Sequence, residues 1–350
     1  MRSFQVVSFG KPLCEAVKAT PTPSGSEVVV KITACGVCHS DVHLWEGYFD
    51  LGGGRKAPVG GGKPDYLPLT LGHEPAGEVI AVGPDAKGVK VGDRRVVYPW
   101  IGCGACSICK AGDEHVCNNG RVIGVNRDGG YADHVVVPHP RYLVDFPGVP
   151  EALAATYACS GITAYGALKR AGKLAPDQPL VIIGAGGVGF NGIRLAKAVT
   201  GQAPVVVDID LGKKDAALSA GASAFIDANA PDAGKQIFGL TKGAWAVIDF
   251  VGSDKSSVLG FNALRRGGRM VIVGLFGGTF AVPVPLFPLK SATVMGSYVG
   301  SLAEFLELRD LVVSGALPPM PIKTRKLDEI NAVMEEMVAR KIVGRVVLTP

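Results

Sequence analysis

Leu180-Val181-Ile182-Ile183-Gly184-Ala185-Gly186-Gly187-Val188-Gly189 is the stretch that decides the fold of the middle of the chain. Four apolar residues suited to a buried strand run into a glycine-rich turn, and a helical pattern then continues toward Val199. A G-x-G-x-x-G run alone is a weak signal. A strand before it and a helix behind it supply the context in which glycines let the backbone approach a pyrophosphate and the helix N-terminus offers unpaired amides. The second strand ends in Val207-Asp208-Ile209-Asp210, so Asp208 stands 19 residues beyond Gly189. A carboxylate is expected there to accept the adenosine ribose hydroxyls. Gly184, Gly186, Gly187, Val188, Gly189 and Asp208 are therefore the expected dinucleotide contacts, and Lys213 lies within reach of the same ribose. No arginine follows Asp208 to receive a 2′-phosphate and Asp210 adds negative charge, so NAD is expected over NADP.

Working outward, apolar strands alternate with helical stretches from about Gly161: Leu180–Gly184, Pro204–Asp208, Ala224–Asp227, Trp245–Val251, Arg269–Gly274 and Ala292–Gly296. Six such strands are what a doubly wound parallel sheet requires. The chain before them differs. Val28–Val30, Gly77–Val82, Arg94–Tyr98 and His134–Val137 are short apolar runs between Gly, Pro and Asp punctuation, as in a barrel-like β domain. Beyond Gly300 come two helical segments, Leu302–Val313 and Leu327–Arg340, and a strand, Arg345–Leu348, which exceed what six strands need. The expectation is an α/β chain with a β-barrel domain from 1–160 plus 296–350, and a Rossmann domain from 161–295 inserted into it. Asp50 to Tyr66 holds two triple-glycine runs and is expected to be either a surface insertion or a lid.

Composition narrows the class. The 350 residues carry 36 basic and 31 acidic side chains, for a net charge of +5 with no long run of one sign. Nucleic-acid and membrane-surface partners are thus not expected, and a small molecule is. The first residues lack the apolar core of a secretory signal, and no apolar stretch reaches the ~18–20 residues that cross a bilayer. A cytoplasmic location is expected.

Eight cysteines in such a chain suggest metal in preference to disulfides. Cys103, Cys106, Cys109 and Cys117 form C-x2-C-x2-C-x7-C. Thiolates so spaced can wrap one tetrahedral ion and leave no open position, which marks a structural zinc site. An iron–sulfur cluster competes for the same spacing, but the Cys-Pro is missing and the last gap is wide. A zinc-ribbon nucleic-acid binder would also use such a cluster, against the modest charge and the dinucleotide fingerprint. Cys38 in Cys38-His39-Ser40-Asp41-Val42-His43, His73 in Gly72-His73-Glu74, and Cys159 in Ala158-Cys159-Ser160-Gly161 remain. Together they would give three ligands and a vacancy, the pattern of catalytic zinc.

These motifs resemble the zinc-containing medium-chain alcohol dehydrogenases over nearly the whole chain. The resemblance runs through C-H-S-D-x-H at 38–43, G-H-E at 72–74, the cysteine lobe at 103–117, A-C-S-G-x-T at 158–163, the glycine turn and G-R-V-V-L at 344–348. It implies a GroES-like catalytic barrel, two zinc ions per subunit and NAD. By it, Cys38, His73 and Cys159 hold the catalytic ion, Glu74 exchanges transiently onto it, and Asp41 orients His73. Zinc would stabilise the alcohol oxygen as a Lewis acid, Ser40 and His43 would relay the proton, and hydride would pass between a primary or secondary alcohol and NAD. His39 and Arg345 would touch the cofactor pyrophosphate, and Val273 would join the cofactor contacts. Trp45, Phe49 and Tyr98 are expected either at the substrate pocket or in the core. A homotetramer is expected, with a dimer next. Polyol and formaldehyde dehydrogenases, or a non-catalytic relative, share the scaffold; Cys159 favours simple alcohols over polyols. Pro75 departs from the usual glycine after Glu74, and Ser301-Leu302 stands where many relatives carry a basic residue.

Overall fold

The computed structural model describes every residue except 316 and 319. Its parallel sheet has six strands in the spatial order Ala224–Asp227, Val205–Asp208, Leu180–Ile183, Ala244–Asp249, Leu264–Ile272 and Thr293–Gly296. The first strand in sequence is central, with the second on one side and the fourth on the other. The strand order therefore reverses beside it, and the crevice at the carboxyl ends of these strands is where such sheets bind ligands. Leu180–Ile183 is buried throughout because helices cover both faces of the sheet. Gly184 turns the chain with φ 95°, and the helix Gly187–Thr200 follows. A Cβ on Gly189 would meet the Gly184 carbonyl oxygen at 1.9 Å, so only glycine lets the helix start so close to the strand.

A second, mixed sheet of seven strands runs Leu143–Val144, Arg94–Val97, Pro75–Val82, Val28–Gly36, Arg345–Thr349 and Ile322–Lys326, with His134–Val137 also on Val28–Gly36. Val28–Gly36 extends six residues beyond the apolar run Val28–Val30, because the exposed Lys31 breaks the hydrophobic pattern without breaking the ladder. The C-terminal segment returns to this sheet: Val347 pairs with Gly36 and Leu348 with Cys35. Pro75 opens its strand opposite Cys35, a position that tolerates the missing amide donor. A small sheet of Cys14–Val17, Arg2–Val6 and Leu69–Thr70 completes this side.

The helix Leu302–Val313 has the expected limits, and the Ser301–Glu304 capping box explains its start. The segment expected as one helix over Leu327–Arg340 is instead a 3-10 turn, Leu327–Glu329, leading into Ile330–Val338, and Arg340 lies beyond its end in the left-handed region. The strand read as Arg269–Gly274 begins at Leu264 and ends at Ile272. Within the glycine-rich stretch, Tyr48–Asp50 and Lys56–Pro58 form a hairpin. Its Gly52 approaches the backbone of Gly278, and its Asp50 packs on Gly277, so the stretch abuts the loop that follows the fifth strand of the parallel sheet. Among the described residues no helix is long and apolar enough to cross a membrane.

Candidate active site and metal centres

Three segments of the mixed-sheet side converge on one buried point. Cys38 ends the turn after Val28–Gly36 and caps the helix His39–Glu46. His73 precedes the strand Pro75–Val82. Cys159 sits in a single π-helical turn, Tyr157–Gly161, between the helices Glu151–Thr156 and Ile162–Ala171. Such wide turns occur frequently at functional sites. One donor atom each from Cys38, His73, Glu74 and Cys159 lies within 4.8 Å of every other.

The two sulfurs of Cys38 and Cys159 are 3.9 Å apart. That is far beyond a disulfide bond and close to the ~3.8 Å between two thiolates on one tetrahedral zinc with ~2.3 Å bonds. His73 Nδ1 pairs with Asp41 Oδ1 at 3.1 Å, while its Nε2 is buried with no hydrogen-bond partner. A buried imidazole nitrogen without a partner is costly, and a metal ion among these donors would satisfy it. The donors present therefore fit zinc. The thiol of Cys159 donates toward Cys38 and holds Cys38 well below the ordinary cysteine range, favouring the thiolate that binds metal.

Asp41 is fixed by more than the imidazole. Its carboxylate also accepts from the Cys38 amide at 3.0 Å and the Tyr131 hydroxyl at 2.8 Å, and it is fully buried. Glu74 is equally buried and accepts the Ser160 amide at 3.3 Å, and its other oxygen pairs with the guanidinium of Arg345. Burial pushes the Glu74 carboxyl above its usual range, and Arg345 opposes that push. A Cβ on Gly36 would strike the Glu74 carboxylate at 1.8 Å, so the glycine makes room for it.

Cys103, Cys106, Cys109 and Cys117 form the second donor group, again within 4.8 Å of one another. Three of their sulfur pairs stand 3.5 to 3.9 Å apart, once more a tetrahedral spacing and not a bonded one. Amides of Ala105 and Cys106 hold the Cys103 thiol below its ordinary value. Cys14 and Cys35 belong to neither group.

One cleft of about 350 Å³ joins the first metal group to the crevice of the parallel sheet. Cys38, His39, Ser40, His43, His73 and Cys159 line one end; Gly184, Gly186 through Gly189, Asp208, Lys213 and Val273 line the other, with Arg345 on the same wall. Ser40 Oγ lies 3.8 Å from the Cys38 sulfur. Asp208 accepts the amides of Ala185 at 2.6 Å and Asp210 at 2.9 Å and pairs with Lys213 at 3.2 Å. Arg345 reaches from Glu74 to the glycine turn, where a Cβ on Gly187 would meet its side chain at 2.7 Å. Thr163 Oγ1 and Ser297 Oγ, both buried without partners, line the cleft as well. Unpaired hydroxyls in one cleft with a glycine turn and a carboxylate fit a polar dinucleotide.

Of the three aromatic residues weighed for the pocket, only Phe49 lines the cleft. Tyr98 is fully buried in the core, its hydroxyl donating to the Gly300 carbonyl at 2.7 Å, and Trp45 donates to the Lys11 carbonyl at 2.6 Å. The apolar wall comes instead from Leu44, Phe49, Trp100, Val125 and Tyr298. Sequence reasoning missed Trp100, whose ring lies 5.6 Å from that of His73. Asp249 was missed too. It accepts the amides of Val251 and Gly252 and the hydroxyls of Ser256 and Ser257, which fixes the loop beside the crevice. A carboxylate ending a parallel strand was its available signal.

A parallel-sheet crevice opening onto a buried Cys, His and Cys group, with a four-cysteine lobe alongside, defines a zinc-binding dehydrogenase. The chain belongs to the zinc-containing alcohol dehydrogenase family: residues 24–148 match the alcohol dehydrogenase GroES-like domain and residues 187–314 the zinc-binding dehydrogenase domain. Among relatives, it is 42% identical to an NAD-dependent alcohol dehydrogenase of Sulfurisphaera tokodaii and 40% identical to one of Saccharolobus solfataricus, each over the full length of both chains. Its fold matches the crystal structure of the alcohol dehydrogenase from Aeropyrum pernix with a TM-score of 0.89 and 32% identity, again covering both chains fully.

Proposed function

We propose that this protein is an NAD-dependent alcohol dehydrogenase that interconverts primary or secondary alcohols with aldehydes or ketones. The observation that carries the reading is the orphaned, buried Nε2 of His73, set among two thiols at the floor of the cleft whose other end is the glycine turn. Cys38, His73 and Cys159 would hold the catalytic ion, with Glu74 exchanging onto it, and Cys103, Cys106, Cys109 and Cys117 a structural one, for two zinc ions per subunit. When bound, the catalytic zinc polarises the alcohol oxygen and NAD accepts the hydride.

The chain's own residues supply the rest. Asp41 fixes the tautomer of His73 so that its Nε2 faces the thiols. The Ser40 hydroxyl accepts the proton of the alcohol oxygen as it releases its own, and His43, one helical turn on, takes up the released proton on its neutral ring nitrogen and gives it to water. Burial and the neighbouring His39 hold the His43 imidazole below its ordinary value, so it is neutral and able to accept that proton near pH 7. Asp208 holds the adenosine ribose, with Lys213 beside it. His39 and Arg345 meet the pyrophosphate, and Gly184, Gly186, Gly187, Val188, Gly189 and Val273 give the cofactor its bed. The apolar wall excludes water and suits apolar or aromatic alcohols.

The division into a catalytic domain, 1–160 plus 296–350, and a Rossmann domain, 161–295, is part of this reading, as are a cytoplasmic location and a homotetramer. Metal analysis and NADH absorbance with a panel of alcohols test it together. Two zinc ions per chain and NADH formation are the expected results. A zinc-free protein that reduces NAD with none of the alcohols would overturn it.

A further inference from the structure

Among the described residues, Arg340 is one of four non-glycine residues with positive φ, at 57°, where a side chain rarely sits and glycine would be at ease. It follows the helix Ile330–Val338 and precedes Arg345 by five residues. Its guanidinium lies 4.5 Å from the centre of the Phe276 ring, and that ring stacks on His39 at 5.9 Å. Arg340, Phe276, His39, Gly187 and Arg345 all line the one cleft. No carboxylate pairs with Arg340 among the described residues, whereas Arg345 is held by Glu74. An exposed arginine kept in an unfavourable backbone conformation, stacked on a half-exposed phenylalanine and left without a counter-charge, is set up for an anion that arrives with the ligand.

We infer that Arg340 is a further cofactor-binding residue, a guanidinium fork for the pyrophosphate of the dinucleotide, held in place by Phe276 as its platform. The inference rests on the dinucleotide reading of the cleft. Phe276 belongs to the loop after the strand Leu264–Ile272, while His39 and Arg340 come from the mixed-sheet side. The fork therefore reaches the phosphates from the wall facing the glycine turn. A planar fork matches two phosphate oxygens in a way a lysine does not. The backbone at 340 is left-handed, and the side chain that starts from it lines the cleft.

Calorimetric titration with NAD, ADP-ribose and adenosine, together with thermal unfolding of the ligand-free protein, tests this on wild type, Arg340→Gly and Arg340→Lys. In Arg340→Gly the Kd for NAD and ADP-ribose should rise about tenfold or more, the loss expected for hydrogen bonds to a charged group. The Kd for adenosine, which lacks phosphates, should not move. The unfolding temperature of ligand-free Arg340→Gly should match or exceed that of wild type, because glycine accepts the left-handed backbone. Arg340→Lys should weaken ADP-ribose to an intermediate extent. An unchanged Kd for ADP-ribose in Arg340→Gly, or an equal loss for adenosine, would overturn the assignment. A wild-type protein that binds neither NAD nor ADP-ribose would instead overturn the dinucleotide reading beneath it.

Discussion

Ser40 is the sharpest single-residue probe of the proposed chemistry, because it stands beside Cys38 without being placed to hold the ion. Ser40→Ala should lower kcat by at least ~10²-fold, the range of a positioned proton-transfer group, and leave zinc content unchanged. Wild-type turnover in that variant would remove Ser40 from the relay. Asp208 is the corresponding probe of cofactor choice. Two amides and Lys213 already hold its carboxylate at the crevice, so it offers ribose hydroxyls a fixed acceptor and a 2′-phosphate a repelling charge. Wild type should favour NAD in kcat/KM, and Asp208→Gly should shrink that preference chiefly through weaker NAD; an unchanged ratio would contradict the role. Motif spacing singled out both residues in the sequence, and both line the cleft. Trp100, Tyr298 and Arg340 were not singled out, since each acts through a neighbour distant in sequence: His73 for Trp100, Trp100 for Tyr298, Phe276 for Arg340.

At the scale of elements, the two cysteine-bearing segments should fail differently. The lobe from Cys103 to Cys117 has only one short helix, Ser107–Lys110, and one 3-10 turn, Glu114–Val116, so its four sulfurs supply the order that a core would supply elsewhere. Cys106→Ala should lower the unfolding temperature and leave the surviving folded enzyme partly active, because a closed metal site contributes folding free energy. Cys38→Ala should abolish turnover with the fold retained. Equal losses of stability in both would merge the two roles. The strands Leu180–Ile183 and Val205–Asp208 were legible to within a residue or so because they are buried throughout and their apolar runs are unbroken, whereas Leu264–Ile272 was read five residues late because Arg265, Arg266, Gly267 and Gly268 interrupt its pattern. Val28–Gly36 was not legible in full, since one exposed lysine hides a ladder that continues past it. The hairpin in the glycine-rich stretch was also hidden, because its pairing rests on the backbone of residues 48–58 and on contact with Gly277 and Gly278.

Over the whole molecule, the cleft is walled by both sheets' connections, so a ligand bound along it touches the two halves at once. NAD at a hundred times its Kd should therefore stabilise the folded protein by about 2.7 kcal/mol, read as a rise in unfolding temperature. A transition that saturating NAD leaves unmoved would mean that the folded protein does not bind it. The return of the C-terminal segment was legible as a surplus of elements beyond six strands, although its partner strand was not. That pairing, Val347 against Gly36, bears on how the chain is made. At a ribosomal pace of ~5–20 residues per second, the strand Val28–Gly36 waits roughly 15–60 s for its neighbour to be synthesised. The parallel sheet lies wholly inside that interval and is complete in sequence before it closes. Through the wait, the edge of Val28–Gly36 that Arg345–Thr349 later covers is without that partner strand, and an unpaired edge is a template for other strands.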